Sequence, residues 1–197
     1  MNLPSRITAI AWVIISYVST VYSQTLPHSQ AQNPAPRPEE GVLLKSVGQA
    51  KAHYRPRDDQ TGIVVITKIA EKFELPKYSE VLTLMVYFTL PGKKVAQPKN
   101  VYMIFSSISP QLKYQDNHKL TIYCEGLEYF SPGTRVELLQ KNELGFFEGV
   151  RSSGIAYKDF LRLLESREVV IQLGSTKVEL KEENLEALRD LKRIIEK

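Results

Sequence analysis

Glu168-Val169-Val170-Ile171-Gln172-Leu173-Gly174-Ser175-Thr176-Lys177-Val178-Glu179-Leu180 is the stretch whose alternation decides the fold class. With Gly174-Ser175 as a two-residue turn and glycine supplying the positive φ, Leu173 faces Thr176, Ile171 faces Val178 and Val169 faces Leu180. Those pairs share one face of a hairpin. On the other face Gln172 meets Lys177 and Glu168 meets Lys181, so a single register satisfies burial, polarity and charge together.

The same period of two runs back through the middle of the chain. Ile63 to Ile69 is rich in β-branched residues, and Leu82, Leu84, Val86, Phe88 and Leu90 form an unbroken apolar face until Pro91-Gly92 stops the strand. Val101 to Ile108 follows. Lys119 to Glu125 then alternates with Leu120, Ile122 and Cys124 inward and Lys119, Thr121, Tyr123 and Glu125 outward, the one-sided pattern of antiparallel sheets. Glu125-Gly126 and Ser131-Pro132-Gly133 bracket a short strand over Leu127 to Phe130. Arg135 to Leu139 and Phe146 to Arg151 read as a further hairpin turned by Lys141-Asn142-Glu143.

Two helices accompany the strands. Tyr157, Phe160, Leu161 and Leu164 share one side of a short helix near 156–165, opposite Lys158, Arg162 and Glu165. From Glu182 to about Ile195, Leu185, Leu188, Leu191 and Ile195 form an apolar stripe suited to docking on the domain and too short for a coiled coil. Glu182 and Glu183 stand at the positive end of the dipole, with Arg193 and Lys197 near the negative end. Lys181 occupies the position where a Ser, Thr or Asp cap is expected. The fold class that follows is mainly β (α+β): an antiparallel β-sandwich of about 7–9 strands with a short helix near 156–165 and a C-terminal helix near 182–195.

The run from Ile155-Ala156-Tyr157-Lys158-Asp159-Phe160-Leu161 through the hairpin to Glu182-Glu183-Asn184-Leu185-Glu186-Ala187-Leu188-Arg189-Asp190-Leu191 resembles the ending of uncharacterised exported bacterial β-rich proteins. The resemblance covers about the last 40 residues, the length of one supersecondary unit. It implies a β-rich domain with a closing helix and brings no activity with it. Tyr157 and Lys181 depart from the small capping residues usual there.

The N-terminus supplies an address. Arg6 is followed by an apolar run from Ile7 to Tyr22, and Val21-Tyr22-Ser23 fits a signal peptidase site, so residues 1–23 read as a signal peptide cut between Ser23 and Gln24. Spanning a bilayer takes about 20 predominantly apolar residues, and this run is interrupted by Ser16, Ser19 and Thr20; membrane association is expected only if the signal stays uncleaved. Residues 24–60 read as a Pro-rich flexible linker: Pro27, Pro34, Pro36 and Pro38 remove backbone donors, and Gly41 to Gln60 is expected to cap the domain loosely or to continue the linker. Residues 61–197 then form a single β-sandwich-like domain. The expected location is periplasmic or extracellular.

Charge and cysteine content narrow the chemistry. The formal net charge of +4 comes from 26 basic and 22 acidic residues; loss of Arg6 leaves 25 against 22, or +3, spread without basic blocks, which argues against a nucleic-acid partner. Cys124 is the only cysteine, so no internal disulfide forms, and with no activating group nearby it reads as a small core hydrophobe.

Motifs for phosphate loops, zinc proteases, Cys-x-x-Cys pairs and nucleophile elbows are missing from the sequence, and His28, His53 and His118 are scattered, so no catalytic residue, metal ligand or cofactor is assigned. Asp58-Asp59 and Asp116-Asn117-His118 are read as turns. A loop-built triad of Ser107, His118 and Asp116 is conceivable but has no support from spacing. Tyr123, Tyr129, Phe130, Phe146 and Phe147 are candidates for a recognition patch, against strand packing as the plainer account.

The expected function is an exported non-catalytic β-sandwich module binding a protein or cell-envelope component. The alternatives are a structural subunit of a cell-envelope assembly and a hydrolase with a loop-built site.

Overall fold

The C-terminal hairpin forms in the expected register, with Leu173 opposite Thr176, Ile171 opposite Val178 and Gln172 opposite Lys177, and the Leu180 N–H donating to the Val169 carbonyl at 2.8 Å. Gly174 has φ +57°. Its missing Cβ matters twice, because a Cβ there would also press on the Asn117 carbonyl oxygen of a crossing loop. The computed structural model describes residues 48–74, 78–142 and 145–196; the expected signal peptide with its Ser23/Gln24 cut, and the linker up to residue 47, lie outside the described residues.

Eleven strands and two α-helices are found among the described residues. They are β1 (Lys51–Arg55), β2 (Gln60–Glu74), β3 (Tyr78–Pro91), β4 (Asn100–Ser109), β5 (Leu120–Cys124), β6 (Leu127–Phe130), β7 (Thr134–Asn142), β8 (Gly145–Ser152), β9 (Ile155–Ala156), α1 (Tyr157–Glu165), β10 (Val169–Leu173), β11 (Thr176–Glu179) and α2 (Glu182–Ile195). All pairings are antiparallel. The larger sheet has seven strands in the order β1-β2-β3-β4-β8-β7, with β9 extending the β8 side of β4; the smaller has four in the order β11-β10-β5-β6. The architecture is therefore the mainly β, α+β sandwich-like fold that the alternation implied.

The two strands beyond the expected seven to nine are the ones with weak patterns. β9 has only two residues. β1 carries Lys51, His53 and Arg55 at alternate positions, too polar to announce a strand, yet it pairs with β2 from Lys51↔Val64 to Arg55↔Gln60. The sheet thus begins at Lys51, ten residues before Thr61, and takes in part of the stretch read as linker. The reason is cooperative: β2 offers an edge of unpaired donors and acceptors, and a short polar strand satisfies them.

Inner faces meet as the period demands. Ile63, Val65, Leu84, Val86, Phe88 and Phe105 of the larger sheet join Leu120, Ile122, Ile171 and Leu173 of the smaller sheet in one core. Both helices close it. Tyr157, Phe160, Leu163 and Leu164 are the buried side of α1, with Leu161 half-buried. Leu185, Leu188 and Leu191 are the buried stripe of α2, which packs against β2 and β1. Cys124 is half-buried and packs on this core. No helix among the described residues is long and apolar enough to cross a membrane.

Both helix starts lack a hydrogen bond from the N-cap side chain and find other partners. The Tyr157 N–H donates to the Lys99 carbonyl at 3.1 Å. At α2 the Lys181 N–H donates to Asn184 Oδ1 at 3.0 Å, half of a reciprocal cap built from the far side. The Asn184 amide, on a side chain only 2 % exposed, also donates to Thr67 Oγ1 at 2.8 Å and to the Lys68 carbonyl at 2.9 Å. Lys68 borders the bulge where β2 skips a residue against β3, so this one side chain starts the helix and fastens it to an irregular strand.

Candidate functional site

Two places combine polar chemistry with access. The first is a cleft of about 100 Å³ between the sheets, lined by Glu71, Glu80, Ser107, Lys113, Tyr114 and Thr176 among others. At roughly 30 Å³ per water it holds about three. It exists because the loop from Pro110 to Lys119 carries the chain from β4 in the larger sheet to β5 in the smaller and is pinned along its length. Glu148, fully buried on the same inward register as Val150, accepts the Lys113 and Tyr114 N–H groups at 2.8 Å each. Lys113 reaches Glu80 at 2.5 Å. Tyr114, 2 % exposed, donates its hydroxyl to Thr176 Oγ1 at 3.0 Å, and Lys119 and His118 carbonyls accept from Gly174 N and Thr134 Oγ1 at 2.9 and 2.7 Å.

The electrostatics of the cleft favour holding over reacting. Burial pushes the Tyr114 hydroxyl pKa up, and Glu148 and Glu80 add to the rise against the opposing bond to Thr176; the phenol stays a neutral donor. Each nearby carboxylate is engaged, Glu71 with Lys68, Glu80 with Lys113 and Glu148 with backbone.

Ser107, on β4 opposite Glu148, is 3 % exposed and has the Tyr114 hydroxyl as its hydrogen-bond neighbour. Asp116 and His118 lie on the crossing loop, and no hydrogen bond among the described residues joins them to Ser107 or to each other. Asn117 Oδ1 accepts the Lys119 N–H at 3.4 Å, a local side-chain-to-backbone bond just after the bend at Asp116. Asp58 and Asp59 sit in the β1–β2 turn: the Asp59 N–H donates to the Pro56 carbonyl at 3.4 Å, and Asp59, at φ +48°, accepts from the Tyr54 hydroxyl at 2.9 Å. Among the described residues no group of three or more His, Cys, Asp or Glu side chains converges as metal ligands would.

The second place is the rim of the smaller sheet, where β6 is the edge strand. The turn before it, Glu125 at φ +53° and Gly126 at φ +78°, has both central residues left-handed, as a type I′ hairpin requires. Glu125 tolerates that conformation because its carboxylate accepts the Arg167 N–H at 2.7 Å and its own N–H donates to the Glu168 carbonyl at 3.1 Å. The turn presents Leu127, 75 % exposed.

On the opposite face of the sheet Tyr123 donates to Gln172 Oε1 at 3.2 Å with Lys177 Nζ 5.5 Å above its ring. Tyr129 packs edge-on to Phe130 at 5.3 Å and lies under the Arg162 guanidinium at 5.7 Å. The structure thus puts Tyr129 against Phe130, sets Tyr123 on the opposite face of the same sheet, in register with Glu128, and leaves Phe146 and Phe147 in the other sheet. There Phe147 is 1 % exposed and Phe146 sits under Lys141 at 5.5 Å. Burial raises the Cys124 thiol pKa, with the Glu125 charge adding to the rise and a Ser166 hydrogen bond opposing it, so the thiol on this strand is a poor nucleophile.

The sequence reading overlooked Glu148, Tyr114 and Asn184. For Glu148 a signal was present, since period two sets it on the face of Val150; Tyr114 and Asn184 acquire their partners only from distant segments. Comparison with protein-family models, with curated proteins and with solved structures finds no match.

Proposed function

We propose that this protein is an exported, non-catalytic β-sandwich module that binds a protein or envelope component along the β6 rim. One observation carries the reading: Leu127, a large aliphatic side chain three-quarters exposed, stands on an edge strand two residues before Tyr129, whose ring lies under the Arg162 guanidinium. A free strand edge offers donors and acceptors to an extended segment, and an apolar side chain beside it supplies area to bury. The Ser107, His118 and Asp116 arrangement gives the hydrolase alternative no comparable support.

Leu127→Asp tests it. An exposed substitution leaves stability within about 0.5 kcal/mol, so the variant should unfold with the parent and lose the partner that the parent retains from envelope extract. Retention of that partner by Leu127→Asp would refute the rim, and turnover in a broad hydrolase screen would refute the non-catalytic reading. N-terminal sequencing of the exported protein, expected to begin at Gln24, checks the address.

A further inference from the structure

The outer face of the larger sheet is apolar and buried, although both helices and the smaller sheet lie on the inner side. Val64 and Ile66 on β2, Met85 and Tyr87 on β3 and Ile104 on β4 form a second apolar cluster, with Tyr102 against it. Val64 is 0 % and Phe147, on β8, 1 % exposed. Side chains on the open face of an antiparallel sheet meet water unless another layer sits on them. Arg151 covers part, its guanidinium 5.6 and 5.2 Å from the Tyr87 and Tyr102 rings. It belongs to β8, three strands from Val64 and Ile66.

We propose that this face is the docking surface for the protein's own segment Gly41-Val42-Leu43-Leu44-Lys45-Ser46-Val47. The chain reaches the sheet beside the cluster: the Gly48 N–H donates to the carbonyl of Ile66, a cluster member, at 2.7 Å. Gly48 has φ +73°, a bend available to glycine at no steric cost, which lets the preceding chain leave the line of β1. Reach is sufficient. Seven residues span up to about 23–25 Å, while β2 to β8 is three interstrand spacings, about 14–15 Å.

Composition selects this segment over its neighbour. Four of its seven residues, Val42, Leu43, Leu44 and Val47, are aliphatic, whereas 24–40 holds four prolines and one Val, Leu or Ile residue, Leu26. The docking is independent of the β6 rim, and it makes part of the linker a component of the fold.

The test uses the full chain with Cys124→Ser, which removes the natural thiol, and Met85→Cys, which places one thiol on the outer face. Labelling by a small maleimide should be at least about tenfold slower than in the guanidinium-unfolded chain, because only opening of the cover exposes the site. Adding Leu43→Asp and Leu44→Asp should restore most of that rate and leave a Leu127→Cys control unchanged. Fast labelling of Met85→Cys in the otherwise native chain overturns the proposal, as does protection that survives the two aspartates. Protection that grows with protein concentration instead assigns the cover to a second copy and also overturns it. A second measurement needs no change in the sheet: Leu43→Asp/Leu44→Asp in the natural chain should enhance the fluorescence of an anilinonaphthalene sulfonate, and an unchanged signal counts against the docking.

Discussion

Gly174 shows how much one position can determine. Its φ of +57° is the first of a two-residue turn, its N–H donates to the Lys119 carbonyl at 2.9 Å, and its bare Cα lets the Asn117 carbonyl approach. Gly174→Ala pays the left-handed penalty of about 1–2 kcal/mol and in addition pushes the crossing loop away, so its loss of stability in urea unfolding should exceed that of Gly126→Ala. Gly126 is also left-handed, but a Cβ there meets open space. The turn glycine was legible from Leu173-Gly174-Ser175-Thr176 alone. The carbonyl pressed against it was not, because Asn117 lies 57 residues earlier in the chain.

At the scale of elements, α2 is bounded as its apolar stripe implies, from Glu182 to Ile195, and its exposed side carries a charge ladder. Glu186 takes Arg189 Nη1 at 2.7 Å and Arg193 Nη2 at 2.7 Å; Arg189 also reaches Glu182 at 2.5 Å, and Arg193 reaches Asp190 at 2.6 Å. The Arg189 hydrogen bond first, then that of Arg193, holds the Glu186 carboxyl below the usual carboxylate range. A folded-state pKa below the unfolded one stabilises the helix above the unfolded value, about 4.3, and that contribution is lost as pH falls through the lower folded value. The site is solvent-exposed, so salt weakens it. NMR titration of the Glu186 carboxyl should show a midpoint below the ordinary glutamate value, moving up in Arg189→Ala and in high salt; a midpoint indifferent to Arg189 would contradict the ladder. Sequence spacing announces the pairs at i, i+3, whereas the cap from Asn184 depends on β2 lying beneath it.

At the scale of the whole molecule, the described residues form two sheets and two helices, and the buried Glu148 carboxylate holds the crossing loop that joins the sheets at Lys113 and Tyr114. Glu148→Ala strands two backbone N–H groups at about 1–3 kcal/mol each, while Glu148→Gln keeps one acceptor. The expected order of stability in denaturant unfolding is parent, then Gln, then Ala, and equal stability of parent and Ala would remove Glu148 from this role.

What the sequence determined by itself is local: strand positions and facing from period two, the Gly174 turn, the two helix stripes, and the inward place of Cys124. Those features follow from neighbours within one element, where backbone geometry fixes which side chains share a face. Only the tertiary structure decided the strand order β1-β2-β3-β4-β8-β7 and β11-β10-β5-β6, the recruitment of polar β1, the partners of Glu148, Tyr114 and Asn184, and the placing of the Arg162 guanidinium over Tyr129. Each joins residues from separate elements, and their proximity is set by how apolar faces stack, a property of the assembled core that no local pattern carries.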